Sequence, residues 1–279
     1  MILPNQPIVD ISWLSENFGN PLLKIIESKL KPIGATHDWE SGQKIAGAVL
    51  LDIEEDFSDK KSDLPHTLPN EEDFSAAARK LGINQDDILV IYDQVGVYSS
   101  PRAWWMFKVM GHKNVFVLDG GLPAWTNAGH NTEKATWEQV RNGNFKASFQ
   151  SDLFFDTQNI LDNLENKEIQ ILDARSEGRF NGTAPEPRAG MRGGHMPNAG
   201  NIPFDQVLNG HYLKSPEDLK IIFDNKSKEN QKLVMTCGSG VTASILALAA
   251  TISGRKDVAV YDGSWSEWGR PGDLPVVIS

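Results

Sequence analysis

Residues Leu233 to Ser244 read LVMTCGSGVTAS. A short apolar run ends in the chain's only cysteine, Cys237, two glycines follow it within three residues, and TASILALAATIS from Thr242 has the composition of a helix. Strand, glycine-rich turn and helix form the α/β unit whose ligands collect at the carboxyl ends of the strands, and Cys237 sits at that end. Gly238 and Gly240 let the backbone curl tightly, so that successive N–H groups can turn inward around the sulfur. The positive end of the helix adds to the field there. Both effects favour thiolate over thiol. The pattern predicts a nucleophile held in a ring of amides, whereas a lone cysteine is more commonly a small core residue. A cysteine phosphatase would place an arginine after five intervening residues to grip the phosphoryl oxygens; here GSGVT is followed by Ala243.

The same pattern stands earlier in the chain. ILVIYDQVGVYSS from Ile88 parallels KLVMTCGSGVTAS from Lys232, which sets Asp93 opposite Cys237, Gly96 opposite Gly240 and Val97 opposite Val241. KIAGAVLLD from Lys44 parallels HMPNAGNIP from His195, and VFVLDGGLPAW from Val115 parallels VAVYDGSWSEW from Val258. In chain order the offsets are 151, 144 and 143 residues. A repeat of that length is a duplicated domain, not a solenoid. ILVIY, VFVL, IQILDA, KLVM and VAVY are Val- and Ile-rich runs of strand length. EEDFSAAARKLG, SPRAWWMFKVMG, PEDLKIIFDN and TASILALAATIS are helix-like, the first two closing on Gly82 and Gly111 as C-terminal caps. The alternation predicts α/β domains with mainly parallel sheets. Thr132 to Asp152 is polar and weakly periodic and reads as a linker. The expected organisation is an N-terminal domain over 1–135, a linker over 136–152 and a C-terminal domain over 153–279.

Composition limits the function classes. A chain of 279 residues with 40% hydrophobic content can build two cores. Its net charge of -10 argues against nucleic acid or an anionic membrane surface as a partner. One cysteine makes neither an internal disulfide nor a CxxC pair, which suits a reducing compartment. The first residues, MILPNQPIVDISWLSENFGN, carry no basic n-region or long apolar stretch, and the first arginine is Arg79. These features lead to the expectation of a cytoplasmic protein without a cofactor or metal.

CGSGVTA resembles the active-site loop of the two-domain sulfurtransferases of the rhodanese superfamily, in particular those that use 3-mercaptopyruvate. Further motifs of that family run along the chain: SDKKSDLPHTLP from Ser58, RAWWMF from Arg102, VFVLDGGLPAW, LDARSEGRFNGTAPEPRAGMRGGHMPNAGNIPF from Leu172 and YDGSWSEWG from Tyr261. The resemblance implies tandem duplicated rhodanese-like domains, each a mainly parallel sheet flanked by helices, with the N-terminal copy lacking the cysteine, as Asp93 does here. It implies a double displacement in which the Cys237 thiolate takes sulfur from 3-mercaptopyruvate, pyruvate leaves as its enolate, and a thiol such as thioredoxin, or cyanide, accepts the sulfur. Amides from Gly238 through Ser239, Gly240 and Val241 to Thr242 would stabilise thiolate and persulfide. Thiosulfate-using members typically carry basic residues after the cysteine, where this chain has Gly238 and Ser239.

Four arginines lie between Arg175 and Arg192. Guanidinium matches carboxylate as a two-pronged donor, and the resemblance assigns Arg179 and Arg188 to the substrate's carboxylate and carbonyl. Arg175 and Arg192 read as structural, and Glu177 and Glu186 are the acids available to pair with such arginines. By resemblance, Ser239 and His66 belong to a serine, histidine and acid arrangement. DIEEDFSD leaves Glu54 and Glu55 competing for the acid. His195 reads as a turn residue, and Trp104, Trp105, Trp265 and Trp268 as packing. Asn198 stands where the family commonly has glycine, and KIAGA where it often has histidine and proline. Two other readings are a thiosulfate:cyanide sulfurtransferase and a non-catalytic persulfide carrier; a carrier needs no arginine pocket for an oxo acid.

Overall fold

Ile88–Tyr92 and Lys232–Thr236, the runs that precede the two paired loops, are the central strands of two separate five-stranded sheets. The computed structural model describes residues 2–35 and 39–279. The first sheet comprises β1 (Ile8–Val9), β2 (Leu23–Lys29), β3 (Val49–Asp52), β4 (Ile88–Tyr92) and β5 (Val115–Leu118), in the order β1-β5-β4-β2-β3. The second comprises β6 (Phe154–Phe155), β7 (Ile169–Asp173), β8 (Gly200–Asn201), β9 (Lys232–Thr236) and β10 (Val258–Tyr261), in the order β6-β10-β9-β7-β8. Every pairing within both is parallel. The two orders are one topology repeated.

Every residue of β4 is buried, as is β9 from Leu233 to Thr236, because helices cover both faces of a parallel sheet. The following helix, Val241–Ile252, is apolar nearly all round and is buried at every position except Thr251. Glu71–Lys80 has its N-cap at Asn70, whose side chain accepts from the Asp73 amide, with acids in the first turn and bases in the last. It and Ser100–Val109 stop just before Gly82 and Gly111, where the sequence puts their caps.

In each sheet the order reverses at one point. From β7 the chain moves outward to β8, and from β9 it moves the other way to β10, so the loops after β7 and β9 diverge and leave a crevice between them. The loop after β7 carries the four arginines, and the loop after β9 begins with Cys237.

The chain divides into a first unit of Met1–Lys60, Leu68–Gln150 and Gly210–Leu213, and a second of Lys61–Thr67, Ser151–Asn209 and Lys214–Ser279. The stretch expected to be a linker is instead mostly fastened to the first unit. Thr132–Lys134 pairs antiparallel with Gln43–Ile45. Amides of Gly143, Phe145, Ser148 and Gln150 then donate to the carbonyls of Arg79, Ile83, Met110 and Val109 at 2.7–3.1 Å. Two apolar residues, Phe145 and Ala147, are buried, Phe145 fully and against Phe74 and Phe107. An extended strap held mainly by backbone bonds, with only Phe145 and Ala147 as apolar anchors, has too little hydrophobic period to read as a strand or helix, which is why it reads as a linker.

Phe107 and Phe145 also enclose His112, which is 1% exposed, and burial pushes its imidazole down to about 4 from an ordinary 6.5. The folded chain thus binds fewer protons here than the unfolded chain between those values, so stability falls as pH drops from 6.5 toward 4, by on the order of 3 kcal/mol. His112→Phe is expected to flatten that part of the pH profile, measured as the urea midpoint between pH 4 and pH 7.

Candidate active site

Cys237 leaves the end of β9 with 2% exposure, and Gly240, in the left-handed region at φ 78°, turns the chain into the helix that starts at Val241. The short helix Ser264–Trp268, which follows β10, holds this turn from behind. Trp265 donates its amide to the Cys237 carbonyl at 2.9 Å. Ser266 donates both its amide, at 2.8 Å, and its hydroxyl to the Gly238 carbonyl. The Ser264 hydroxyl accepts from the amides of Cys237 (3.3 Å) and Gly240 (3.1 Å) and donates to the Tyr261 carbonyl at 2.8 Å.

What the loop is shaped to hold is visible in its copy. The Asp93 carboxylate, 2% exposed, accepts backbone N–H bonds from Val95, Gly96, Tyr98, Ser99 and Ser100 at 2.8–3.1 Å and the Ser100 hydroxyl at 2.7 Å. The turn therefore cradles an anion. Through the repeat, the counterparts of those amides are Ser239, Gly240, Thr242, Ala243 and Ser244. Ala243 and Ser244 extend the set anticipated from the sequence, while the Gly240 amide here faces Ser264.

The four arginines take different settings. Arg175 is buried on Asp173 (2.6 Å), Glu186 (2.8 Å) and the Gly194 carbonyl (2.8 Å), with its guanidinium 4.0 Å from the Trp265 ring centre. Arg192 donates to the carbonyls of Trp268, Gly272 and Leu274. Arg179 and Arg188 come to the cysteine loop: a Cβ built on Gly238 would lie 3.2 Å from Arg179 Nη2 and 3.8 Å from Arg188 Nη1. Glu186, with its side chain 5% exposed, orients Arg179 through a 2.6 Å bond to Nη2. That role for Glu186 follows from position after folding; the sequence offered it only as one of two possible partners.

His66 belongs to the second unit, in the short segment Lys61–Thr67, although the sequence assigns it to the N-terminal domain. Its Nδ1 lies 3.0 Å from Ser239 Oγ, and its backbone is left-handed at φ 60°. A non-glycine residue there persists only when its surroundings hold it. Ser239, His66, Arg179 and Arg188 therefore meet around the loop that Cys237 opens: a thiol-bearing turn, a hydroxyl–imidazole pair and two cations.

The rhodanese-like domain pattern matches residues 10–128 and again 156–270. The chain belongs to the rhodanese family. It is 38% identical to the 3-mercaptopyruvate sulfurtransferase of Escherichia coli (strain K12) over 96% of both chains. It is also 38% identical to the thiosulfate sulfurtransferase of Rattus norvegicus, over 95% of this chain and 92% of that one. The crystal structure of SseA from Escherichia coli, described with the rhodanese fold and mechanism of 3-mercaptopyruvate sulfotransferases, superimposes with a TM-score of 0.83 at 35% identity, covering 94% of this chain and all of that one. Equal identity to enzymes named for two donors leaves donor choice to the chemistry beside the rhodanese cysteine.

Most of the other motif residues of this rhodanese chain sit in packing or turn contacts. His195 is buried, stacks on Phe180 at 3.9 Å and bonds its carbonyl. Asn198 sits at φ 60°, a conformation asparagine adopts more readily than other side chains and the reason glycine suits the position. Lys44 of KIAGA is buried, bonded to the Ala48 carbonyl and Glu133 and lying over Trp137. Trp104, Trp105, Trp265 and Trp268 are buried as packing. Glu54 and Glu55 are both exposed, Glu55 pairing with Lys60 at 3.3 Å.

Proposed function

We propose that this protein transfers sulfur from 3-mercaptopyruvate to a thiol or cyanide acceptor through a persulfide on Cys237, releasing pyruvate. The observation that carries the reading is the approach of Arg179 and Arg188 to Gly238, one residue from the nucleophile. A 2-oxo carboxylate needs two cationic forks, one at the carboxylate and one at the carbonyl whose oxygen becomes the enolate.

In the first half-reaction the Cys237 thiolate attacks the substrate sulfur and an S–S bond forms. The C–S bond breaks, its electron pair passes into the pyruvate enolate, and the enolate takes up a proton to give pyruvate. Arg188 and Arg179 bind the charge that develops on the leaving group, while the loop amides carry the anionic persulfide. Ser239, bonded to His66, is suited to pass a proton between substrate and solvent. In the second half-reaction an acceptor thiolate, as on thioredoxin or a small thiol, attacks the outer sulfur and the Cys237 thiolate departs. With Cys237 the only cysteine, no second thiol of this chain can resolve the persulfide. A cytoplasmic setting is part of this reading. Neutral Gly238 and Ser239 favour the monoanionic oxo acid over dianionic thiosulfate as donor.

The test compares 3-mercaptopyruvate and thiosulfate as donors at equal acceptor concentration. Mercaptopyruvate should be preferred. Arg188→Ala should raise its KM roughly 10- to 100-fold, the worth of a charged hydrogen bond, and raise that for thiosulfate less. Equal losses for both donors would remove Arg188 as the carboxylate site. Preference for thiosulfate would make the protein a thiosulfate sulfurtransferase, and no turnover with either donor would leave a persulfide carrier.

A further inference from the structure

We propose that Arg270 is a positioning residue for sulfur transfer: by gripping Asp63 it seats the segment Lys61–Thr67 so that His66 meets Ser239. The proposal rests on the reading above, in which the His66–Ser239 pair serves the reaction. Arg270 Nη1 donates to the Asp63 carboxylate at 2.7 Å, Nη2 to the Asp63 backbone carbonyl at 3.2 Å, and Nε to the Ser266 carbonyl at 3.0 Å. Three donors of one rigid guanidinium thus fasten a side chain and a backbone of the segment to the helix Ser264–Trp268.

That helix is the one that holds the nucleophile's turn. Ser266, which receives Arg270 Nε, donates its amide and hydroxyl to the Gly238 carbonyl. Asp63 lies three residues before His66, and Gly238 lies immediately before Ser239. The two partners of the His66–Ser239 contact are therefore referenced to one side chain. His66 needs such reference, because its left-handed backbone at φ 60° is disfavoured for an L residue. The bond from Arg270 holds the Asp63 carboxyl below its ordinary value.

Both side chains reach solvent, with 41% exposure at Arg270 and 80% at Asp63, so the contact is screened by salt. Arg270→Ala is expected to lower kcat with mercaptopyruvate about 5-fold while leaving KM nearly unchanged. Arg270→Lys should recover part of the loss, since an ammonium can meet the carboxylate but cannot span all three acceptors. In a His66→Ala background the Arg270→Ala effect should vanish, and high salt should bring wild-type kcat toward the variant's. Independently of turnover, amide hydrogen exchange in residues 61–67 should speed up in Arg270→Ala.

Wild-type kcat in Arg270→Ala alongside a slow His66→Ala would overturn the proposal while leaving the His66 role intact. The same fold loss in both backgrounds would overturn it too, as a general structural effect. So would unchanged exchange in residues 61–67. Full activity in His66→Ala would instead overturn the role of the pair, and that of Arg270 with it.

Discussion

Cys237→Ser is expected to cut sulfur transfer by at least about 10⁴-fold with either donor, because the variant loses the group that changes bonds and keeps nearly everything around it. Serine is close in size to cysteine and fits a site that is 2% exposed, whose backbone amide donates to the Ser264 hydroxyl and whose carbonyl accepts from the Trp265 amide. The loop and both arginines should therefore stay in place. A hydroxyl is almost wholly protonated near neutral pH and is a poor nucleophile toward sulfur, and the oxygen cannot carry the persulfide needed for the second half-reaction. The measurement is kcat/KM by pyruvate release, together with intact mass after incubation with mercaptopyruvate and no acceptor. Wild type should gain one sulfur atom and the variant none. Substrate binding should change far less than turnover, since the cations that recognise the oxo acid are untouched. If the variant still took up sulfur, the nucleophile would not be a cysteine at all, because the chain has no other.

Legibility in the sequence followed how local each feature is. Strands, loops and helices around Asp93 and Cys237 could be read because apolar runs, glycines and caps lie within a dozen residues of one another, and the repeat supplied a second sample of each. The family's motifs set Arg175 and Arg192 apart from Arg179 and Arg188; all of the donors shown for the first pair go to acids and carbonyls of the fold, and although Arg179 likewise bonds buried Glu186, the second pair differ in reaching Gly238. Strand β2, LKIIESK, escapes the apolar pattern because it carries Glu27, which is buried and accepts from the Tyr92 hydroxyl at 2.6 Å and the Gln94 amide at 2.9 Å. Two-residue edge strands such as β1, β6 and β8 are too short to have a period. Contacts between distant segments leave no local trace. Neither the Ser266 grip on Gly238 nor the Arg270 grip on Asp63, 207 residues away, follows from spacing. The placement of His66 with the second unit belongs to the same class.

Asp93→Ala should destabilise the first unit by at least about 4 kcal/mol, a loss of roughly 10³ in its folding equilibrium. The carboxylate satisfies five backbone N–H groups and one hydroxyl in a turn that is largely buried. Each orphaned buried donor costs roughly 1–3 kcal/mol, so the total reaches 4 even if entering water recovers most of them. For a unit of this size the melting temperature should drop by about 10–15 °C in calorimetry. Asp93→Asn keeps one acceptor oxygen but points an amide NH₂ at N–H groups, and it should recover little. Asp93→Cys is the informative contrast. A thiolate is again an anion, so this variant should regain more stability than Asn at pH values where the new thiol is ionised, and the gain should disappear on acidification. A melt of Asp93→Ala within a few degrees of wild type would mean that the amides are not held by the carboxylate. The argument would then fail for the second loop too, because the cradle at Cys237 is inferred from this one. If the ranking holds, the two loops differ in occupancy and not in design. The first keeps a fixed anion and is a structural clamp, whereas the second keeps the corresponding amides, apart from that of Gly240, for the sulfur anion that forms and departs in the proposed cycle.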